Sequence, residues 1–315
     1  MKLKTRNIGI VILCLFLFSS RLFAGDINAD AGTSSFPFLK INISARAVAM
    51  GGAFTGLAND ESALYYNPAG IISIEDTKYI VGYHDYFFDM QSGFLGYVKP
   101  INIKRTIGFY LSYLNYGSFT RSDSLGNTLG DFGGGDLLFA FSVAQRKNHN
   151  LSYGATAKFI YEKIDTYSAT GIAFDLAAKY NSDRGHFGAG LMLQNVGLQL
   201  SSLGSSKDKL PTTIRTGISY QPKGMPMLIS SDLILPIDND LIFAIGADYL
   251  NFKPFYIRLG WNSFGSNFKA TSSNASLSGA SLGCGFDVKQ MQISYSFSPS
   301  ADLGDSHRIT VTGEI

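Results

Sequence analysis

Asp60 and Glu61 stand side by side in a segment rich in hydrogen-bonding side chains, and paired carboxylates are the simplest equipment for general acid and base catalysis. Neighbours in sequence need not face one substrate, and nothing around them splits their pKa values into an acid and a base. The four histidines, His84, His149, His186 and His307, have no metal-ligand spacing, so neither a metal nor a cofactor is expected. Gly133-Gly134-Gly135-Asp136 lacks the Lys-Ser/Thr of a phosphate loop and reads as a flexible turn on an external loop. These residues give no enzyme; the information lies in the elements that carry them.

The chain opens with Lys2, Lys4 and Arg6, continues through the apolar stretch Ile8 to Phe18, and reaches Ser19, Ser20 and a cleavage point after Ala24. That order is a secretory leader, residues 1–24, and its apolar run is shorter than the ~20 residues of a membrane-spanning helix. Cleavage would remove Lys2, Lys4, Arg6 and Arg21, leaving 22 basic against 24 acidic residues. A near-neutral mature chain has no concentrated positive charge with which to bind nucleic acid. Cys14 leaves with the leader, so Cys284 has no intramolecular partner. Only 16% of residues are charged, while 13% are aromatic and 34 are glycine, which suggests an apolar outer surface. No later segment has ~18 uninterrupted apolar residues, so a membrane-spanning version of this chain must be a closed β-barrel.

From Thr77 onward, segments of about ten residues alternate with period two between clusters of Gly, Asn, Asp, Ser and Pro. In the segment from Leu151, the side chains of Leu151, Tyr153, Ala155, Ala157, Phe159 and Tyr161 share one face. Ser152, Gly154, Thr156, Lys158 and Glu162 share the other, as in a strand with lipid outside and a polar lumen inside. Met291 to Phe297 repeats the pattern. The count is about fourteen strands, and the three longest connections, Asn115 to Gly135, Val196 to Pro211 and Ser263 to Ser278, follow the third, seventh and eleventh. All three then fall on the outer side. Tyr79, Tyr86, Tyr97, Tyr180, Tyr220 and Tyr249 near strand ends would supply interfacial girdles. The fold expected is an all-β, transmembrane, antiparallel up-and-down barrel over residues 77–315.

Residues 25–76 differ in character. Ser44-Ala45-Arg46-Ala47-Val48-Ala49-Met50-Gly51-Gly52-Ala53-Phe54-Thr55-Gly56 is followed by Asn59-Asp60-Glu61-Ser62-Ala63-Leu64-Tyr65-Tyr66-Asn67-Pro68-Ala69-Gly70. Gly51, Gly52 and Gly56 allow tight turns and close backbone approach, and Asn67-Pro68 would end a helical turn at Ser62 to Tyr66. A compact, small-residue piece of this kind suits a barrel interior. Arg46 is expected to pair with Asp60 or Glu61 there, for structural reasons.

This stretch resembles the N-terminal signature of the PorV/PorQ family of outer-membrane proteins, related to the FadL-like long-chain fatty acid transporters. Tyr295-Ser296-Phe297-Ser298-Pro299 and Asp302-Leu303-Gly304-Asp305-Ser306-His307-Arg308-Ile309-Thr310-Val311 look like that family's closing strands, while the terminal Ile315 departs from the aromatic residue usual there. The resemblance implies a fourteen-stranded outer-membrane barrel, inserted by the barrel assembly machinery into outer-membrane lipid. Its N-terminal hatch carries the motif residues Arg46, Gly51, Gly52, Asp60, Asn67, Pro68 and Ala69. Two functions follow: passage of a fatty acid or other hydrophobic ligand, or, as for PorV/PorQ-type members, reception of secreted proteins within a type IX-like secretion system. Phe119, Leu125, Phe132, Leu198 and Leu200 on the external connections would contact either ligand or partner. A lipase embedded in the barrel is a remote third, requiring a serine and a histidine on one lipid-facing surface.

Overall fold

The computed structural model describes residues 28–87, 89–265, 278–299 and 304–315. The expected leader, most of the connection from Ser263 to Ser278, and Asp302-Leu303 lie outside the described residues.

Alternation along the chain becomes a closed wall. The strands are β1 (Lys78–Asp85), β2 (Gln91–Asn102), β3 (Arg105–Ser122), β4 (Thr128–Arg146), β5 (Leu151–Ile164), β6 (Tyr167–Asn181) and β7 (Phe187–Ser201). There follow β8 (Thr213–Tyr220), β9 (Met227–Pro236), β10 (Ile242–Phe252), β11 (Phe255–Asn262), β12 (Ala280–Val288), β13 (Met291–Pro299) and β14 (Asp305–Glu314). Each is antiparallel to both neighbours, and β1 pairs with β14 from Lys78 opposite Glu314 to Asp85 opposite His307, so no edge is left free.

Parity decides what each face meets. Along β5, Ser152, Gly154, Thr156, Lys158, Ile160 and Glu162 are buried, while Tyr153 and Phe159 are 46% and 44% exposed. The same parity turns Val81, Leu95, Phe109, Phe141, Leu176 and Leu191 outward. A soluble protein does not carry so continuous an apolar belt; a bilayer-facing barrel does.

The two mouths differ. At one, the strands are joined by short turns such as 103–104, 253–254 and 289–290. Tyr97, Tyr180 and Tyr220 point outward near this mouth, giving an aromatic girdle. Tyr86 does not join it: its ring packs on His84 at the opposite mouth, centroids 4.8 Å apart. That mouth carries the longer connections, the external side of such barrels.

Two external connections read from sequence as loops contain strand, the first for most of its length and the second only over Val196 to Ser201. Past Asn115 and Gly134, β3 and β4 lose their other neighbours and pair with each other as a two-stranded ribbon, Phe119 opposite Phe132. The ribbon closes in the turn 123–127, where Asp123 accepts hydrogen bonds from the Leu125 and Asn127 amides at 2.9 and 2.8 Å. Gly133, Gly134 and Gly135 are therefore part of β4 and not a flexible turn. A side chain at Gly134 would meet Tyr116 and the Lys163 carbonyl, one at Gly135 the Leu114 carbonyl, and one at Gly133 the Gly117 carbonyl. Leu198 and Leu200 likewise lie on β7, on its outward face with Val196 and beyond the end of its pairing with β8.

Residues 35–74 lie mostly within the barrel, with 28–34 largely exposed at one mouth and 75–77 at the other. At the external mouth, the Ser35 amide donates to the Lys209 carbonyl at 2.9 Å, and Lys40 pairs with Asp238 at 2.5 Å. At the other mouth, Arg146 donates to the Ile72 carbonyl at 3.0 Å. The chain thus threads the lumen from end to end before β1 begins.

Candidate functional site

The occupied lumen is the candidate site, and its lining comes in two kinds. The inner segment has little regular secondary structure, only the short helical turns Pro37–Lys40, Ala45–Ala49, Ala63–Tyr66 and Pro68–Ser73. Its backbone groups must therefore find partners elsewhere. Much of the wall supplies them. Asp232 accepts from the Phe54 and Thr55 amides at 3.1 and 2.9 Å, and Lys179 donates to the Leu57 and Ala58 carbonyls at 2.6 Å each. Arg215 donates to the Gly52 carbonyl at 3.0 Å and lies over the Tyr66 ring. Thr310 receives the Ala45 amide at 2.9 Å.

Arg46 anchors the segment ionically. Its Nη1 donates to Asp60 at 2.7 Å and to Asn59 at 2.9 Å, and its Nε donates to Asp248 of β10 at 3.2 Å. The other oxygen of Asp248 accepts from Arg258 of β11 at 3.3 Å, and Arg258 also reaches Ser294 and Gln292. Asp248 is thus shared by one guanidinium from the inner segment and one from the wall. Burial alone would weaken the charge on Arg46, but Asp60 and Asp248 outweigh it and hold the group charged.

Of the other motif residues, Gly51 has φ +69° and lies against the Trp261 backbone, where any side chain would collide. Gly52, at φ +81°, completes that turn. Asn67 bridges three backbone groups: its Oδ1 accepts from the Ala69 amide at 3.1 Å, and its Nδ2 donates to the Thr55 and Ala178 carbonyls at 2.9 and 3.2 Å. Pro68 starts the next helical turn, pressed with Ala69 against Gly154, and Ser152 donates to the Ala69 carbonyl at 3.0 Å. These residues are scattered along the segment and serve to seat it, converging on no single ligand.

Asp60 and Glu61 take separate parts. Asp60 belongs to Arg46 and also receives the Ser62 amide at 2.9 Å. Glu61 is buried, lines a cavity of about 580 Å³ at the short-turn mouth, and makes no ion pair among the described residues. Burial, then the neighbouring Asp60 charge, pushes its carboxyl up from 4.5 to about 7. The folded chain holds this proton to about pH 7 while the unfolded chain loses it near 4.5, so packing of the segment is strongest in acid. Its stability should fall as pH rises from 4.5 to 7 and stay at the lower level above. Glu61→Gln should flatten that slope in hydrogen exchange of the Ser62 to Tyr66 amides, and a slope unchanged by the substitution would contradict the assignment.

The inward face of β1 to β5 mixes the polar His84, Ser92, Ser112, Ser142 and Thr156 with apolar side chains, of which Ile80, Phe94, Tyr110, Leu114, Leu138 and Ile160 are all buried. These apolar residues form one cluster with Phe54, Leu64 and Ile71 of the inner segment. Lys158 pairs with Asp175 at 2.7 Å, both meeting Asn195 at the β7 bulge, while Asp136 accepts from the Tyr116 hydroxyl at 2.5 Å. His84 Nε2 lies 2.8 Å from Ser306 Oγ, but this pair faces the lumen, no acid among the described residues orients the other ring nitrogen, and Arg308 also donates to Ser306. It does not form the lipid-facing serine and histidine set that a lipase needs.

Sequence reading missed Asp232, Asp248, Arg258, Arg215 and Lys179. Their signal was present: each is a charge at the inward parity of an otherwise apolar or small-residue strand.

Searching with family models returns no match. A curated relative, a "UPF0164 protein" of Treponema pallidum (strain Nichols), is 23% identical over 218 residues. That match covers 63% of this chain and 51% of the relative, so the chain spans about half the relative's length. Solved structures agree over far more of the fold. The Pseudomonas putida toluene transporter TodX superposes with a TM-score of 0.61 at 12% identity, covering 86% of this chain and 97% of that one. The CymD monoaromatic hydrocarbon channel gives 0.60 at 13%, covering 87% and 98%. A Pseudomonas aeruginosa FadL homologue gives 0.53 at 14%, covering 93% and 99%. The fold is that of the FadL-type barrels: a closed fourteen-stranded antiparallel barrel.

Proposed function

We propose that this protein is a non-enzymatic channel of the outer membrane that admits small hydrophobic molecules, with the inner segment as its hatch. The observation that carries the reading is the division of the lumen. Most of the wall seats the hatch by ion pairs and hydrogen bonds, whereas β1 to β3 meet it through apolar side chains such as Ile80, Phe94, Val98 and Tyr110, along which an apolar solute is less penalised for leaving water. The hydrocarbon and toluene channels that share the fold support the same class of cargo.

One feature favours a second reading, in which the barrel receives exported proteins in the manner of PorV/PorQ-type members. The β3–β4 ribbon stands clear of the rim with Leu125 and Leu129 86% and 61% exposed, a surface suited to a protein partner. Mild extraction from membranes followed by mass spectrometry separates the two. Channel function predicts bound apolar small molecules or lipid with no stoichiometric protein; a stoichiometric exported protein, retained through the ribbon, would replace the channel reading.

A further inference from the structure

Hydrogen bonds from the inner segment to the wall are unevenly placed. Among the described residues they reach β4 and β5 through Arg146 and Ser152, and β6, β7 and β8 through Lys179, Gln194, Arg215 and Ser219. They continue to β9, β10, β12 and β14 through Asp232, Asp248, Ser281 and Thr310. None of these bonds reaches β1, β2 or β3. On much of the bonded arc, wall glycines also bring backbone against backbone: Gly217 against Gly56, Gly246 against Met50, Gly260 against Gly51. No solute passes there without breaking polar contacts buried from water.

The β1–β3 arc is closed differently. Leu64, fully buried on the turn Ala63–Tyr66, pushes its two methyl groups into a socket made by Gly96 of β2 and Gly108 of β3. A Cβ at Gly96 would lie 2.9 Å from one Leu64 methyl and 2.7 Å from Ile80, and a Cβ at Gly108 would overlap the other methyl. Ile71 closes the lower side of the same socket. Above it, Tyr110 is opposite Gly96 and Phe94 lies one inward position higher on β2, so the Phe94 and Tyr110 rings, with Ser112 and Ser92 beside and above them, lead from the external mouth down to Leu64.

We infer that Leu64, seated in the Gly96 and Gly108 socket, is the seal of the passage, and that solutes cross between the hatch and the β1–β3 wall while the rest of the hatch stays bound. Opening there needs rotation or slight displacement of apolar side chains, which breaks no hydrogen bond and is fast. The two glycines set the width of the path, and the size of residue 64 sets what it admits. This placement rests on the channel reading.

The test uses the whole protein in planar bilayers, with heat-modifiable migration as the check that each barrel is folded. Leu64→Ala should raise ion current several-fold over the parent, with Leu64→Val between them in case the larger truncation fails to insert. Met192→Ala removes a side chain of similar size on the bonded arc, where Met192 packs on Ala69, and should leave the current at the parental level. Current through both Leu64 variants equal to that of the parent, or a leak from Met192→Ala matching theirs, would overturn the inference. Because ion current needs no apolar solute, a leak from Leu64→Ala in a barrel that fails to speed toluene entry into cells would uphold the seal and remove the channel reading alone.

Discussion

A barrel lacking residues 25–76 should conduct ions freely where the intact protein barely does. The argument is geometric. Fourteen strands enclose a lumen wider than inward side chains can fill, unlike that of an eight-stranded barrel. Here the remaining space is taken by the inner segment, whose residues Ala45, Met50, Phe54, Leu64, Tyr66 and Ile71 are fully buried. The wall does not need the segment to close, since every strand is paired on both sides with its neighbours and β1 with β14. Deletion should therefore leave strand content intact by circular dichroism and raise single-channel conductance by at least about tenfold, the lumen then being water-filled. Equal, negligible currents from two well-folded barrels would show that this segment is not what closes the lumen.

Asp248→Asn should loosen the hatch more than any other single conservative change. Asp248 is wholly buried and shared between Arg46 and Arg258, so losing its charge leaves two guanidiniums facing each other without the anion between them. Removing one partner of a buried ion pair costs on the order of 3–5 kcal/mol, more than the pair contributes when intact, because the remaining charge is stranded away from water. Arg46 retains Asp60, and Arg258 retains Ser294 and Gln292, which places the expected loss toward the lower end. Amides from Ala45 to Gly56 should then exchange roughly a hundredfold faster, while those of β10 and β11 change little. Exchange of the hatch amides at the parental rate would mean that the shared carboxylate does not hold the segment.

How far the sequence carried this account depends on whether the information is local. The inward and outward faces of β5 and β13 were legible because side-chain direction has a fixed period of two, and a lipid exterior makes the apolar face unmistakable. Strand ends were less legible where composition and pairing disagree. Ser118 to Gly135 is rich in glycine, serine, threonine and aspartate and reads as loop, yet β3 and β4 support each other there as a ribbon. β7 runs on past its bulge at Asn195, where φ is +58°, so that Leu198 and Leu200 resume the outward face. The pairing of Arg46 with Asp60 was legible because the two are close in sequence. That of Arg46 with Asp248 was not, since only barrel closure brings residues about two hundred positions apart into contact. The Leu64 socket was invisible for a similar reason: Gly96 and Gly108 look like ordinary small inward residues until the hatch is placed against them.

The most direct test of the account is solute entry into living cells. The protein would be expressed in a Gram-negative host whose outer leaflet resists apolar solutes, and uptake of labelled toluene at low concentration compared with that of a labelled hexose. A hatched channel with an apolar path predicts faster toluene entry than in cells carrying an empty vector, reduced by excess unlabelled toluene, with no gain for the hexose. Unchanged toluene entry despite a folded, inserted barrel, or an equal gain for both solutes, would contradict it.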